Sequence, residues 1–201
     1  MLLRMTSKKF IETYFNGIKK ISSEIKYKEI ENLVKEILKI KNQKGRIFFL
    51  GVGGSAGNAS HAVNDFRKLC EIECYAPSDN VSELTARIND NGWKSSFSEW
   101  LRVSNLNKND AIFIFSVGGG NLKKKVSINL VEAIKYAKKV NSRILGTVGR
   151  DGGFTKRAGN SVVIVPNIDS DLVTPFTESY QAVIWHCIVS HPLLQKVKTK
   201  W

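Results

Sequence analysis

The first apolar run of the core, Ile47 to Leu50, stops at Gly51-Val52-Gly53-Gly54-Ser55-Ala56-Gly57, and helix-compatible sequence follows from Ala59 to Leu69. This order reads as a strand entering a helix through a tight turn that exposes backbone N–H groups. Such a turn favours an anion, because the amide donors and the partial positive charge of the helix N-terminus act together. Many α/β turns carry glycine for geometry alone, so one example decides little. Here Ser116-Val117-Gly118-Gly119-Gly120-Asn121 follows a second apolar run, Ala111 to Phe115. Two strand–Ser/Gly–helix turns suggest two walls of one phosphate site.

The chain from Arg46 onward alternates strand and helix signals. Strands are expected at Arg46–Leu50, Glu73–Ala76, Ala111–Phe115, Arg143–Val148 and Ser161–Val165. Helices are expected at Ala59–Leu69, Val81–Ile88, Trp93–Val103, Leu122–Lys139, Phe154–Ala158 and Thr174–Val189. Nearly continuous apolar strands suit a parallel sheet covered on both faces. The βαβ alternation predicts a doubly wound, flavodoxin-like α/β fold with a long C-terminal helix, its ligands at the carboxyl ends of the strands. Ahead of it, residues 6–43 read as helical. Phe10, Tyr14, Ile18, Ile21 and Ile25 keep one stripe, and Ile30, Leu33, Ile37 and Ile40 another, with a break near Lys26 to Lys28. These stripes must bury against the core or another subunit. No repeat, low-complexity tract or linker divides the chain, so residues 1–201 read as one domain with an α/β core over about 46–192.

A net charge of +13 raises the question of nucleic acid. The lysines are spread along the chain in short clusters such as Lys123-Lys124-Lys125, with no nucleic-acid module and no basic strand interleaved with aromatics. They read as a solvated surface with a general attraction for anions, which serves a small anionic substrate equally well. Cys70, Cys74 and Cys187 are an odd set without metal-type pairing, the pattern of reduced thiols. No apolar stretch approaches a membrane span, and the N-terminus lacks a signal-peptide core, so a cytoplasmic protein is expected.

The glycine turn at 51–55, the Ser/Gly turn at 116–121, Gly149-Arg150-Asp151-Gly152-Gly153 and the C-terminal helix together resemble the sugar isomerase (SIS) family, and within it the phosphoheptose isomerases. The resemblance runs from the N-terminal helices to about Pro192. It implies the SIS fold and conversion of sedoheptulose 7-phosphate to D-glycero-D-manno-heptose 7-phosphate, supplying heptose for bacterial surface polysaccharide. It also implies a homotetramer with active sites between subunits. A second SIS isomerase substrate, or a non-catalytic sugar-phosphate-binding module, are the competing readings. Four departures stand out. The usual Asn-Gly-Gly-Ser is Val52-Gly53-Gly54-Ser55; the catalytic Glu falls on Asp65; the Ser-Thr-Ser-Gly-Asn-Ser loop is Ser116-Val117-Gly118-Gly119-Gly120-Asn121; and the C-terminal helix Gln falls on Glu178.

Aldose–ketose exchange through an enediol needs a base for the carbon-bound proton and an acid for the oxygens, roles suited to carboxylate and imidazole. The resemblance places Asp65 at the base position and His186 at the partner position. Read alone, Asp65 is equally a solvated helix acid, and His186 a buried histidine of an amphipathic helix. The family's substrate contacts fall on Val52, Gly53, Gly54, Ser55, Ser116, Val117, Gly118, Gly119, Asn121, Glu178 and the Asn89-Asp90 pair, which otherwise reads as turn chemistry before Asn91-Gly92. Zinc in related enzymes falls on positions matching His61, Asp65, Glu178 and His186. His61 and Asp65, four apart, share a helix face. Glu178 and His186 are separated by about 12 Å of helical rise, so a common ion requires converging side chains or ligands from different subunits.

Overall fold

The computed structural model describes residues 5–198; residues 1–4, on which part of the leader reading rests, lie outside the described residues. The strands are β1 (Ile47–Leu50), β2 (Cys74–Tyr75), β3 (Ala111–Ser116), β4 (Arg143–Val148) and β5 (Ser161–Ile164). They form one parallel sheet in the order β2-β1-β3-β4-β5. Around it lie α1 (Ser7–Glu24), α2 (Tyr27–Asn42), α3 (Gly54–Cys70), α4 (Val81–Asn91), α5 (Ser96–Val103), α6 (Ile128–Lys139), α7 (Gly153–Ala158) and α8 (Val173–Val189). The expected α/β architecture is present.

Side chains alternate across each strand, so the apolar runs feed two cores. Phe49, Phe113 and Phe115 face one core with α1, α2, α3 and α8, and Phe48, Leu50, Ile112 and Ile114 face another with α5 and α6. The stripes of α1 and α2 bury Ile21, Leu33, Val34, Ile37 and Ile40 within this chain, while Phe10, Ile11 and Phe15 remain exposed. Because β1 pairs with both β2 and β3, the strand order reverses beside β1, and the turns leaving β1 and β3 become neighbours. Ligands of open α/β sheets bind at such a reversal.

The largest departure from expectation is the helix predicted from Leu122. Residues 122–127 form a small hairpin instead: Asn121 and Val126 exchange both backbone hydrogen bonds, at 2.9 and 3.1 Å. The Asn121 side chain accepts from the Lys124 N–H, offering the backbone a turn in place of a helix. Lys125 and Ser127 then take φ of 53° and 48°, outside the helical region. Conversely, α3 starts five residues before expectation, at Gly54, and Asn89-Asp90 belong to α4 instead of following it as a turn. Cys70, Cys74 and Cys187 are free thiols. Burial pushes the Cys70 thiol up to about 11, which keeps it protonated.

At the sheet end remote from the glycine turns, buried Asp110 joins β1 to β3. Its Oδ1 accepts from the Arg46 N–H at 2.9 Å, and its Oδ2 from the Arg46 guanidinium at 2.7 Å and the Asn107 N–H at 3.1 Å. Replacing Asp110 with Ala strands these donors. The expected loss is about 3 kcal/mol of unfolding free energy, measured by urea titration. Retention of wild-type stability would refute the anchoring role.

Candidate active site

The turns after β1 and β3 open into one cavity of about 730 Å³. Its lining includes Val52 and Ser55 from the first turn and Ser116, Val117, Gly118, Gly120 and Asn121 from the second. Lys124, Val126 and Ser127 come from the hairpin, Arg150 and Asp151 from the segment after β4, and Asn167 and Thr174 from the approach to α8. The second turn is set by its contact with α7. The Gly119 carbonyl accepts from the Thr155 N–H at 2.9 Å and the Thr155 hydroxyl at 2.8 Å, and the Gly120 carbonyl from the Phe154 N–H at 2.9 Å. A Cβ on Gly119 would collide with the Gly152 carbonyl, and its φ is 65°, so only glycine suits this interlock. The Ser116 hydroxyl accepts from the Gly119 N–H at 3.0 Å, tightening the turn from within.

A second constellation lies further along α3, where it packs on α8. Asp65, 9% exposed, places Oδ2 3.5 Å from His61 Nε2 and 3.4 Å from His186 Nε2. The same oxygen accepts from buried Trp185 Nε1 at 3.1 Å, and Oδ1 accepts from Asn64 at 3.0 Å. Both imidazoles are exposed, so the carboxylate is fixed from the protein side and addressed by histidines from the solvent side. His186 Nδ1 lies 2.9 Å from the Ala182 carbonyl. A proton on that nitrogen leaves Nε2 as an acceptor facing an acceptor carboxylate, an arrangement that a proton or a cation between them relieves.

The three ligand atoms lie within 4.8 Å of one another. Ligands on a tetrahedral Zn²⁺ at about 2.0–2.2 Å stand about 3.3–3.5 Å apart, which the two Asp65–imidazole separations of 3.5 and 3.4 Å match. The donor set therefore fits the ion expected from the resemblance, with three protein ligands instead of four. Glu178 does not join them. Its carboxylate rests on Gly54, where a Cβ would stand 2.5 Å from Oε2.

The sequence-predicted residues thus divide. Val52, Ser55, Ser116, Val117, Gly118 and Asn121 share the cavity, and His61, Asp65 and His186 share the acid–imidazole group. Gly53 and Gly54 open α3, and Gly119 turns its carbonyl toward α7. Asn89 and Asp90 sit exposed on α4, in neither group, with Asn89 donating to Asp90 at 2.8 Å. His186 is exposed, contrary to the reading of a buried helix histidine. Sequence reasoning missed Asn58, whose amide donates to the Glu178 carbonyl at 2.9 Å and to Gln181 at 2.8 Å. The spacing Gly54, Asn58, His61, Asp65 on one helix face carried that signal.

A family model described as "SIS domain" matches residues 13–149. The phosphoheptose isomerase of Nitratiruptor is 32% identical over 157 residues, 75% of this chain and 77% of that protein. The lincomycin biosynthesis protein LmbN of Streptomyces lincolnensis is 28% identical over 158 residues, 73% of this chain; the match spans 56% of that longer protein. Among solved structures, the phosphoheptose isomerase of Neisseria gonorrhoeae superposes with a TM-score of 0.79 at 21% identity, covering 92% of this chain and 97% of its own.

The contact of Glu178 with Gly54 predicts opposite responses at two glycines of one helix. A methyl group at Gly54 meets the carboxylate, and Gly54→Ala should cost about 1–3 kcal/mol. A Cβ at Gly57 meets nothing within 4 Å, so Gly57→Ala should stabilise by about 0.5–1 kcal/mol. Equal shifts on thermal or urea unfolding would refute the packing described for Glu178.

Proposed function

Because the chain belongs to the SIS domain family, we propose that it is an aldose–ketose isomerase converting sedoheptulose 7-phosphate to D-glycero-D-manno-heptose 7-phosphate. The carrying observation is the Asp65 carboxylate, desolvated on the Trp185 side and flanked by two imidazoles. This group shares α3 with the glycine-turn cavity. Ser55, in the cavity lining, and His61 are six residues apart, about 9 Å of rise. A phosphosugar lying along the helix, with its phosphate in the cavity, brings its carbonyl end toward Asp65. A triose phosphate is too short for that span.

In this reading Asp65 removes a proton from C1 of the ketose, and the electron pair forms the C1=C2 enediol. Return of that proton to C2 gives the aldose, while His186 moves the proton between the O1 and O2 oxygens. Ser55 and Ser116, with backbone N–H groups of the two turns, hold the phosphate. Glu178 and Asn89-Asp90 meet sugar hydroxyls. His61, Asp65 and His186 would hold Zn²⁺, which supplies Lewis-acid polarisation of the carbonyl.

The assembly proposed is a homotetramer, and residues 1–201 act as one SIS domain. Exposed Phe10, Ile11 and Phe15 on α1 suit a subunit contact, and a neighbouring α4 bringing Asn89-Asp90 to a partner's site accounts for their distance from both groups here. Among the described residues no helix is long and apolar enough to cross a membrane. Cytoplasmic heptose supply for a surface polysaccharide is the setting proposed.

Asp65→Asn and His186→Ala should each lower kcat for sedoheptulose 7-phosphate by about 10²-fold or more, followed by NMR of the product. Near-wild-type turnover in both variants rejects the assignment. Trp185 reports on the metal independently of activity, its ring centroid standing 5.1 Å from that of His61 and 4.8 Å from that of His186. Zinc added to metal-free protein should change Trp185 emission, and His61→Ala with His186→Ala should remove the response. An unchanged emission with no zinc retained on dialysis counts against the metal.

A further inference from the structure

The second glycine turn offers few side-chain donors to an anion. Val117, Gly118, Gly119 and Gly120 have none, and the Ser116 oxygen is already engaged by the Gly119 N–H. Two cations enter the same cavity from opposite sides. Lys124 lies in the hairpin closed by the Asn121–Val126 bridge, its N–H held by the Asn121 side chain at 2.9 Å. Neither Lys123 nor Lys125 lines the cavity. Arg150 follows β4 at a φ of 49°, and its Cδ stands 3.9 Å from where a Cβ on Gly118 would lie, so its stem runs over the glycine turn. Asp151 also lines the cavity, with one carboxylate oxygen accepting from the Gly153 N–H at 3.1 Å. Among the described residues neither Lys124 nor Arg150 forms an ion pair with an acid.

We propose that Lys124 and Arg150 clamp the phosphate of the substrate from two sides of this cavity, Lys124 being delivered by the hairpin. The inference rests on the sugar-phosphate reading above and adds the residues that set its affinity. Two cations opposed by one carboxylate leave a net positive lining that a phosphate dianion neutralises. An arginine fork matches phosphate oxygens in pairs, and a lysine adds a movable point charge. The hairpin thereby provides with charge what the hydroxyl-poor turn lacks.

The test measures binding and turnover separately. Inorganic phosphate is titrated calorimetrically into the full-length protein, and KM and kcat for sedoheptulose 7-phosphate are measured in parallel. Lys124→Gln and Arg150→Gln should each weaken phosphate binding and raise KM by about tenfold, with kcat changed less than about twofold. Lys123→Gln removes the same charge one residue away and should leave both constants unchanged. Arg150→Lys should recover part of the affinity. Equal effects from Lys123→Gln, unchanged phosphate affinity in the Lys124→Gln/Arg150→Gln double variant, or no phosphate binding by the wild type would overturn the clamp. Weakened phosphate binding in a protein that does not turn over the heptose would keep the clamp and reject that substrate. Turnover with unaltered phosphate affinity would do the reverse.

Discussion

The packing of α3 against α8 governs where both parts of the candidate site fall. The contact is apolar at its base, where Phe66, Ala62, Ile184 and Ile188 belong to one core. Along its length runs a polar seam: Glu178 on Gly54, Asn58 on the Glu178 carbonyl and Gln181, Trp185 on Asp65, and His186 beside His61. Each pairing needs the same register of one helix on the other. A slip by one turn would move every partner by about 5.4 Å, beyond hydrogen-bonding reach. Asn58 matters here because its amide contacts both a backbone carbonyl and a side chain of α8, tying rotation and translation together. The buried polar contacts therefore specify the pairing that the apolar contacts stabilise without direction.

The sheet supplies the complementary constraint. Reversal of strand order beside β1 brings the turns after β1 and β3 together, and their glycines permit backbone approaches closed to other residues. The turn after β3 gives its Gly119 and Gly120 carbonyls to the start of α7. That assignment of acceptors turns the opposite side of the loop, with Gly118 and Gly120, toward the cavity. At the far end of the same strands Asp110 is almost wholly inside and fully engaged. Rigid attachment at one end and a loop-built cavity at the other is how a parallel sheet combines stability with a site.

Long apolar runs and repeated glycine turns made the sheet and its order of elements readable from the chain, since a period of two buried on both faces admits few alternatives. The glycine wall and the His61–Asp65 face were legible for the same reason: both depend on local spacing. Features fixed by tertiary contact were not. Leu122 to Ser127 carry enough apolar and lysine residues to resemble a helix start, and the Asn121 side chain diverts them into a hairpin. Arg150 stood in a recognised segment without a sign that its stem would cross Gly118. Glu178 was grouped with His186 by family position, yet the rise along α8 carries it to the opening of α3, where Gly54 leaves room for it.

That position of Glu178 makes the two walls of the cavity electrically unequal. A carboxylate lying on the first residue of α3 meets the helix's partial positive charge, a favourable pairing that the chain supplies from its own α8. The N-cap of α3 is Gly53, which offers no side-chain acceptor, so nothing else from the cap competes for that role. An incoming phosphate at this wall would meet an anion already in place, and like charges at short range are costly where water is scarce. The opposite wall carries Lys124 and Arg150 beside a turn whose carbonyls face away. A dianion therefore gains more from the β3 side, leaving Glu178 to accept hydrogen bonds from hydroxyls further along the ligand. Charge order along the groove, cations at the β3 turn and then carboxylate and imidazoles down α3, gives a phosphorylated polyol one favoured direction of entry.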